Sequence, residues 1–299
     1  SSSAFALMQS GLFSEMVLID ADTDRAEGEA MDISHGISFA RPMQIYAGNY
    51  DDITDAAIIV ITAGANQKPG ETRLDLIKKN AAIMKSIIGE IKKRDFGGIL
   101  LIVSNPVDIL TLIALKESGY PANRVIGSGT VLDTGRFKYL LGEHLDIDSR
   151  SVHAFIIGEH GDSELAAWSN ARIGGLSVND FCELRGHFNH EASMKKIFDD
   201  VKNSAYEIIE RKHATYYGIA MAVKRICEAI VRNEKSILPV SSLMTGEYGL
   251  NDVVLSIPSV VGENGVEKVV PIGLSDDEMA ELKKSADILK DIAKDYIAK

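Results

Sequence analysis

The first third of the chain alternates short apolar runs with longer helical patterns, and this alternation leaves few possible fold classes. The apolar runs are Glu15–Asp20, Ala56–Gly64, Gly97–Pro106 and Arg124–Gly129. The helical patterns between them are Asp24–Phe39, Arg73–Lys93 and Pro106–Ser118. Near-continuous apolar strands that alternate with helices predict a parallel sheet buried on both faces. Ligands bind beyond the carboxyl ends of such strands, where the chain places Asp20, Gly64, Asn105 and Ser128.

The chain changes character at about Gly129. The elements predicted beyond it are a helix over Thr130–His144, a strand over Val152–Ile157, a helical stretch over Glu191–Asn233 and a β-rich section over Ile237–Pro271. In that section Asn264-Gly265 predicts a hairpin turn, and a last helix begins at Ser275, where Glu278 completes a capping box. The 299 residues allow two domains, each with its own core. We predict an α/β fold with a dinucleotide-binding domain over residues 1–128 and an α+β domain over residues 129–299, around one cleft.

Asp20 closes the first apolar run. In a doubly wound, Rossmann-type fold an acid at this position accepts hydrogen bonds from the adenosine ribose and repels a 2′-phosphate, which favours NAD over NADP. The first strand and glycine-rich turn that belong before it are not in this sequence, which opens with SSSAFALMQSGL, a pattern typical of the following helix. We therefore expect an N-terminally truncated sheet. Without that central strand two neighbouring strands lack a partner, and folding and NAD binding would be poor.

His160 is the residue best placed for chemistry. It follows a predicted strand, between Gly158 and Gly161 in the run IIGEHGDSE, where a reacting group is approached closely. Histidine gains or loses a proton near neutral pH, and a carboxylate commonly orients its ring; Asp133 in the run LDTGR is the candidate. Arg136 shares the helix face of Asp133 and is able to clamp a carboxylate. The alternative is that His160 only satisfies a turn.

Two further segments place polar groups at strand ends. The segment Thr62–Arg73 mixes glycine, proline and polar residues between a strand and a helix, which predicts a lid. Arg73 would polarise a substrate carbonyl; the alternative is a solvated arginine, although the helix dipole disfavours a cation there. Asn105, in the run SNPVD, is able to donate to a carbonyl or hydroxyl oxygen, and Pro106 allows a cis bond before it. Asp108 in the same run is interpreted as a helix-start residue.

Together these motifs resemble those of the L-lactate/malate dehydrogenase family, and the resemblance covers essentially the whole chain. It implies that His160 of GEHGD is the proton donor and acceptor. It further implies that Asp133 of LD-x-x-R fixes that histidine and that Arg136 of the same motif holds the substrate carboxylate. Arg73 is then the loop arginine and Asn105 the asparagine of the NP motif. The implied reaction is hydride transfer between NAD and a small 2-hydroxy acid.

The resemblance also indicates which substrate this chain is expected to prefer. Six positions before the loop arginine, malate dehydrogenases carry arginine and lactate dehydrogenases carry glutamine; this chain has Gln67. A buried cation facing a methyl group would cost roughly 3–5 kcal/mol, so Gln67 favours pyruvate and L-lactate. Thr215 of ATYYGIA is implied to line the pocket, and His213, where many relatives carry glycine, is expected to alter the helix bend there. Malate, branched 2-hydroxy acids and a non-catalytic dinucleotide-binding role remain as alternatives.

NAD is the implied cofactor, and its expected contacts are Asp20, Arg25, Gly64, Ala65, Val103, Asn105, Ser128 and Ile219. Bacterial members of the family often bind fructose 1,6-bisphosphate between subunits through an arginine and a histidine. Here Lys138 and His153 occupy those positions, and lysine keeps the charge but loses the bidentate geometry. An effector site and an interface without a ligand therefore both remain open. The family also implies a homo-oligomer, expected to be a tetramer, that acts in glycolysis and fermentation.

Composition excludes several other roles. The net charge of −11 argues against nucleic acid or an anionic membrane as partner. The two cysteines, Cys182 and Cys227, form no CxxC pattern, so we expect neither a disulfide nor a bound metal. A reducing, cytoplasmic setting is expected. No apolar run approaches the length of a membrane span.

Overall fold

The computed structural model describes residues 1–65 and 73–296. The helices are α1 (Ser2–Ser10), α2 (Thr23–His35), α3 (Arg73–Lys92), α4 (Val107–Ser118), α5 (Val131–Leu145), α6 (Val178–Leu184), α7 (His190–Lys212), α8 (Tyr217–Val231) and α9 (Asp276–Ala293). The strands are β1 (Glu15–Leu18), β2 (Gln44–Ala47), β3 (Ile58–Ile61), β4 (Ile99–Ile102), β5 (Val125–Gly127), β6 (Val152–His153), β7 (Ile156–Ile157), β8 (Leu165–Ala166), β9 (Arg172–Ile173), β10 (Leu176–Ser177), β11 (Ser236–Leu238), β12 (Ser241–Thr245), β13 (Asn251–Ser256), β14 (Ser259–Gly262) and β15 (Gly265–Val269).

A five-stranded sheet in the order β13-β12-β5-β4-β3 forms the middle of the molecule. Strands β3, β4 and β5 are parallel, and β12 and β13 extend the sheet antiparallel. Strand β4 is buried on both faces: Leu100 and Ile102 pack towards α3, α4 and α9, whereas Ile99 and Leu101 pack towards α1 and α8. None of these four residues is more than 3% exposed. The prediction of a parallel sheet covered by helices on both faces is confirmed.

Strands β1 and β2 form a separate parallel pair, packed through Met8, Ile33 and Met43 against α1 and α2. Within the described ranges, β1 pairs only with β2, and β3 pairs only with β4. Among the described residues, each of β1 and β3 therefore has a hydrogen-bonded ladder on one edge only.

Two predicted elements of the second half need correction. The strand predicted over Val152–Ile157 is two short strands, because β6 pairs with β9 and β7 pairs with β8. The helical stretch predicted over Glu191–Asn233 is divided between α7 and α8. The division falls at His213, whose φ of 69° is left-handed and ends α7. Such a conformation suits glycine best, and His213 adopts it here; the predicted effect of His213 on the helix bend stays a prediction.

Local signals in the last part of the chain are confirmed. Ser275 and Glu278 form the capping box that starts α9. Strands β14 and β15 form the predicted hairpin, with its two-residue loop one position earlier than expected, so that Gly265 is the first residue of β15. A Cβ on Gly265 would lie 1.9 Å from the carbonyl oxygen of Asn123, so a larger residue does not fit there. No described helix has the length and apolar character needed to cross a membrane.

Candidate active site

The loop that carries His160 is held by its main chain. Gly158 exchanges two backbone hydrogen bonds with Ser256 of β13, at 2.9 and 2.8 Å. The N–H of His160 donates to Oδ2 of Asp108 at 2.7 Å. Gly158 and Gly161 have φ values of 90° and 151°, which explains the glycines on both sides of the histidine. These backbone contacts therefore fix the position of His160 independently of the contacts of its side chain.

The side chains of His160, Asp133 and Arg136 meet as predicted from the sequence. Nδ1 of His160 lies 2.6 Å from Oδ2 of Asp133, and Nη1 of Arg136 donates to Oδ1 of Asp133 at 2.7 Å. The Asp133 side chain is 3% exposed and that of His160 is 25% exposed. Since Nδ1 is engaged by the carboxylate, Nε2 is the ring nitrogen left for a ligand.

Burial and charge act in opposite directions on this pair. Burial alone would lower the pKa of His160, but the charge and hydrogen bond of Asp133 outweigh it and raise that pKa to about 9. Burial likewise opposes ionisation of Asp133, yet His160 and Arg136 hold the pKa of this carboxyl below its usual value. At neutral pH the pair is therefore an imidazolium next to a carboxylate. This arrangement is suited to donating a proton.

Glu164 is a third acid at the site, and sequence reasoning missed it. Burial raises its pKa to about 8, and the charge of Asp133 acts in the same direction. Its Oε1 is buried without a hydrogen-bond partner among the described residues. Glu164, Asp133 and His160 each place a potential metal-ligand atom within 4.8 Å of the others. Asp133 already pairs with His160 and with Arg136, so the cluster is explained by proton chemistry. The sequence shows an acid in GDSE but nothing that announces its burial.

A second residue that sequence reasoning missed is Asn80 of α3, which forms hydrogen bonds to the segments that follow β3 and β4. Its Oδ1 accepts the N–H of Ala65 at 2.7 Å, and its Nδ2 donates to the carbonyl oxygen of Asn105 at 2.8 Å. Ser104 adds a bond from its Oγ to the carbonyl oxygen of Ala63 at 2.6 Å. The bond between Asn105 and the following proline is cis. An asparagine within a helical pattern gives no sequence signal for this role.

The predicted cofactor contacts fall into two groups. Gly64, Val103 and Ser128 follow three adjacent parallel strands, and the N–H of Ser128 donates to the carbonyl oxygen of Ile102 at 2.8 Å. They lie with Ala65 and Asn105 at one edge of the sheet, as predicted. Asp20 and Arg25 lie beyond β1, where Asp20 is exposed and accepts the N–H of Asp22 at 3.0 Å on Oδ1. The described contacts do not join these two residues to His160.

The segment before α8 carries Thr215 and the first turn of α8 carries Ile219. Gly218 lies so close to Leu132 that an added Cβ would be 2.9 Å from Cδ1 of that leucine. This contact brings the start of α8 against the first turn of α5, the turn that carries Asp133. Among described residues, no hydrogen bond links Thr215 to the His160 pair. Ile219 is partly buried in the apolar cluster on the α1 and α8 side of the sheet.

Two predicted site residues fall at the edge of what is described. Gln67 lies outside the described residues. Arg73 begins α3, but its side chain also lies outside them. The roles of both residues therefore stay predictions from the sequence.

Lys138 and His153 lie on the second half of the molecule. Lys138 is half-buried on α5, and burial lowers the pKa of its ammonium group. His153 is exposed on β6, directly opposite Arg172 of β9. In the described part of the chain no hydrogen bond or ion pair joins Lys138 to His153. The cross-strand partner Arg172 is a further cation, and no sequence motif indicates it.

Comparison with known proteins gives one consistent result. Residues 1–127 match the lactate/malate dehydrogenase NAD binding domain, and residues 130–299 match the alpha/beta C-terminal domain of the same family. The chain is 55% identical over 294 residues to an L-lactate dehydrogenase of Acetivibrio thermocellus, covering 98% of this chain and 93% of the relative. An L-lactate dehydrogenase 1 of Clostridium acetobutylicum is 55% identical over 291 residues, which cover 97% of this chain and 93% of the relative. Among solved structures, the minor L-lactate dehydrogenase of Enterococcus mundtii in its ligands-bound form has a TM-score of 0.97 and 44% identity, covering 100% of this chain and 95% of that one.

Proposed function

Because the chain belongs to the lactate/malate dehydrogenase family, we propose that it catalyses the NAD-dependent interconversion of pyruvate and L-lactate. The observation that carries this proposal is the cluster of His160, Asp133 and Arg136, with contacts of 2.6 and 2.7 Å. It combines a charged proton donor, a carboxylate that orients it and a cation that suits a carboxylate substrate.

The residues present fit NAD. Gly64, Val103 and Ser128 offer backbone and small side chains at one sheet edge, and Asp20 is an exposed acid at the end of a neighbouring strand. The exposed carboxylate of Asp20 suits ribose hydroxyls and disfavours a 2′-phosphate. Arg25, Ala65, Asn105 and Ile219 would complete the contacts. NAD, when bound, supplies or accepts the hydride at the carbonyl carbon.

The protein's own groups handle the proton and the carboxylate. Arg136 uses Nη1 for Asp133, and a guanidinium has five N–H donors in all, so others remain for the carboxylate of pyruvate. Protonated His160 gives its Nε2 proton to the carbonyl oxygen, which becomes the hydroxyl of L-lactate. Asp133 stabilises the imidazolium before that transfer and orients the ring after it. Lactate oxidation reverses each step, with neutral His160 accepting the hydroxyl proton.

Gln67, Asn105, Arg73 and Thr215 are proposed to select the substrate and polarise its carbonyl group. The test is NADH oxidation with pyruvate, oxaloacetate and a branched 2-oxoacid, for the unmodified protein and for Gln67→Arg. We expect pyruvate to be preferred by the unmodified protein and oxaloacetate to gain at least about tenfold in relative kcat/KM in the variant, because an added cation pairs with a second carboxylate. Unchanged preference in the variant would contradict the role of Gln67. Turnover on none of the three would favour a binding protein without catalysis.

We further propose that the protein is a cytoplasmic homotetramer whose activity responds to fructose 1,6-bisphosphate. The described cysteines, Cys182 and Cys227, are free thiols, which suits a reducing compartment. Lys138, His153 and the cross-strand Arg172 supply cationic or titratable groups for an anionic effector. Addition of the sugar bisphosphate is expected to lower the KM for pyruvate. No change in KM at millimolar effector would contradict the effector role and leave the dehydrogenase proposal standing.

A further inference from the structure

Asp108 is a buried acid that the reaction described above does not use. It lies in the first turn of α4 and is 2% exposed. Both oxygens of its carboxylate accept hydrogen bonds: Oδ2 accepts the N–H of His160 at 2.7 Å, and Oδ1 accepts the hydroxyl of Ser241 at 2.5 Å. The carboxylate therefore joins the first domain directly to the catalytic loop.

The hydrogen bonds continue beyond Asp108. Oγ of Ser241 lies 3.2 Å from Oγ of Ser256, and Oγ of Ser256 accepts the N–H of Thr130 at 3.1 Å. Thr130 is the residue before α5, which carries Asp133. Ser256 also pairs through its backbone with the His160 loop. A shift of the Asp108 side chain would consequently move the loop of His160 relative to the helix of Asp133.

Hydrogen bonding alone does not require a charge at this position. An asparagine would accept the N–H of His160 with its oxygen and donate its N–H to Ser241, which itself is able to accept. Burying a charge instead carries a desolvation cost, here reduced by the helix N-terminus, which favours an anion. A buried carboxylate in place of an amide therefore calls for an electrostatic explanation, and the adjacent group that changes charge in the reaction is His160.

We propose that Asp108 is a positioning residue of the pyruvate–lactate reaction: it fixes the main chain of His160 and, through its charge, favours the protonated imidazole. The inference rests on the proposed function. The titratable groups that face His160 are Asp133, Asp108 and Glu164, of which Glu164 is largely protonated at neutral pH. Arg136 lies beyond Asp133, and Glu159 also acts on Asp108. Asp108 therefore complements Asp133, with one carboxylate on the ring and the other on the main chain.

The ionisation of Asp108 supports this role. Burial raises its pKa to about 6, against the lowering effect of its bonds to Ser241 and to the N–H of His160. The group is therefore an anion at neutral pH and becomes neutral in mild acid. Its charge is one of those that raise the pKa of His160.

The test compares Asp108→Asn with Ser241→Ala and with Asp287→Asn, which removes an exposed charge on α9. The measurement is kcat and KM for pyruvate reduction between pH 6 and pH 10, with NADH affinity measured separately. In Asp108→Asn the alkaline limb of kcat/KM should move down by about half a unit to one unit, with NADH affinity unchanged. Ser241→Ala keeps the charge of Asp108 but disturbs the same hydrogen-bond network. The alkaline limb of kcat/KM should therefore stay in place in Ser241→Ala and in Asp287→Asn.

The inference would be overturned if the alkaline limb of kcat/KM did not move in Asp108→Asn, or if it moved equally in Ser241→Ala. Absence of pyruvate turnover in the unmodified enzyme would instead contradict the proposed function. Because Asp108→Asn is a core substitution, a second measurement uses the unmodified enzyme. The ring resonances of His160, followed by NMR against pH, should show a second inflection near pH 6 as Asp108 loses its charge. A single transition of His160 would overturn the inference without any variant.

Discussion

In the proposed reaction His160 holds a proton at neutral pH and releases it to the substrate, and the carboxylates around His160 influence both steps. Asp133 is the dominant one, because it is almost fully buried and 2.6 Å from Nδ1. His160, and Arg136 to a lesser extent, hold the pKa of Asp133 below its usual value, so this carboxylate does not take the proton itself. Glu164 behaves differently: its pKa of about 8 makes it largely neutral at pH 7. At neutral pH the site thus contains an ionised acid, Asp133, and a largely protonated acid, Glu164, because their surroundings differ.

Replacing Glu164 with glutamine should change the pH dependence of stability. The pKa of Glu164 rises from 4.5 to about 8 on folding, so the folded state binds this proton more tightly. The stability that depends on the bound proton is complete below pH 4.5 and is lost as the pH rises through about 8. Glu164→Gln does not titrate. It should match the unmodified protein near pH 4 and exceed its free energy of unfolding by several kcal/mol at pH 9, because about 3.5 pKa units at roughly 1.4 kcal/mol each separate the folded and unfolded states; the measurement is urea denaturation.

The control for Glu164→Gln is Glu281→Gln, on the exposed side of α9. It removes the same charge from water, so its stability curve should run parallel to that of the unmodified protein. A Glu164→Gln curve that also runs parallel would show that Glu164 is ionised in the folded protein at neutral pH.

Among the elements, strands β4 and β1 differ most clearly in how their edges and faces are covered. Strand β4 has ladders on both edges and apolar helices on both faces, whereas β1 has one ladder and its first residue, Glu15, is exposed. Protection from hydrogen exchange follows burial and backbone hydrogen bonding. The amides of β4 should therefore exchange at least about 100-fold more slowly than those of β1, measured by NMR or mass spectrometry. Equal protection of the two strands would contradict the described separation of the sheets.

Elements with local signals could be predicted from the sequence, and elements that depend on distant partners could not. The apolar run of β4 predicts a buried strand, and the capping box of Ser275 and Glu278 predicts the start of α9. The split between β6 and β7 depends on pairing with β9 and β8, which lie further along the chain. The break between α7 and α8 falls at His213, which has a left-handed φ; local helix propensity does not indicate this break, and only the glycine that many relatives carry at the position does.

The same distinction applies to the site. His160, Asp133 and Arg136 could be predicted because each belongs to a recognisable motif. Asp108 lies in the first turn of α4, as the SNPVD motif predicts, but the motif does not indicate its contacts with distant residues. Its contacts to His160 and Ser241 span 52 and 133 positions of sequence, beyond the reach of local patterns. Asn80 and Glu164 likewise acquire their roles only when the chain folds.

At the scale of the whole molecule, α8 carries exposed apolar side chains next to the site. Tyr217 is 69% exposed and Met221 is 58% exposed, and the two are one helical turn apart. Exposed apolar groups side by side are typical of an interface, and α8 also begins beside the helix of Asp133. A second subunit bound to this face of α8 would therefore stabilise the helix start that lies beside Asp133. This arrangement agrees with the proposed tetramer.

Analytical ultracentrifugation tests the assembly. The unmodified protein should sediment at about four times the 32.5 kDa mass of the chain. Met221→Glu, which would bury a charge in the interface, should shift the population towards smaller species and raise the KM for pyruvate. A monomer in the unmodified protein, or an unchanged tetramer in Met221→Glu, would contradict the role assigned to α8.

Single-turnover oxidation of enzyme-bound NADH by pyruvate, for the unmodified protein and for His160→Gln, directly tests whether His160 is the proton donor. NADH affinity is measured on the same samples by fluorescence. If His160 is the donor, His160→Gln binds NADH as the unmodified protein does and hydride transfer slows by about 10²–10⁴-fold. A transfer rate near that of the unmodified protein, or equal losses in NADH affinity and rate, would contradict the assignment of His160 as the proton donor.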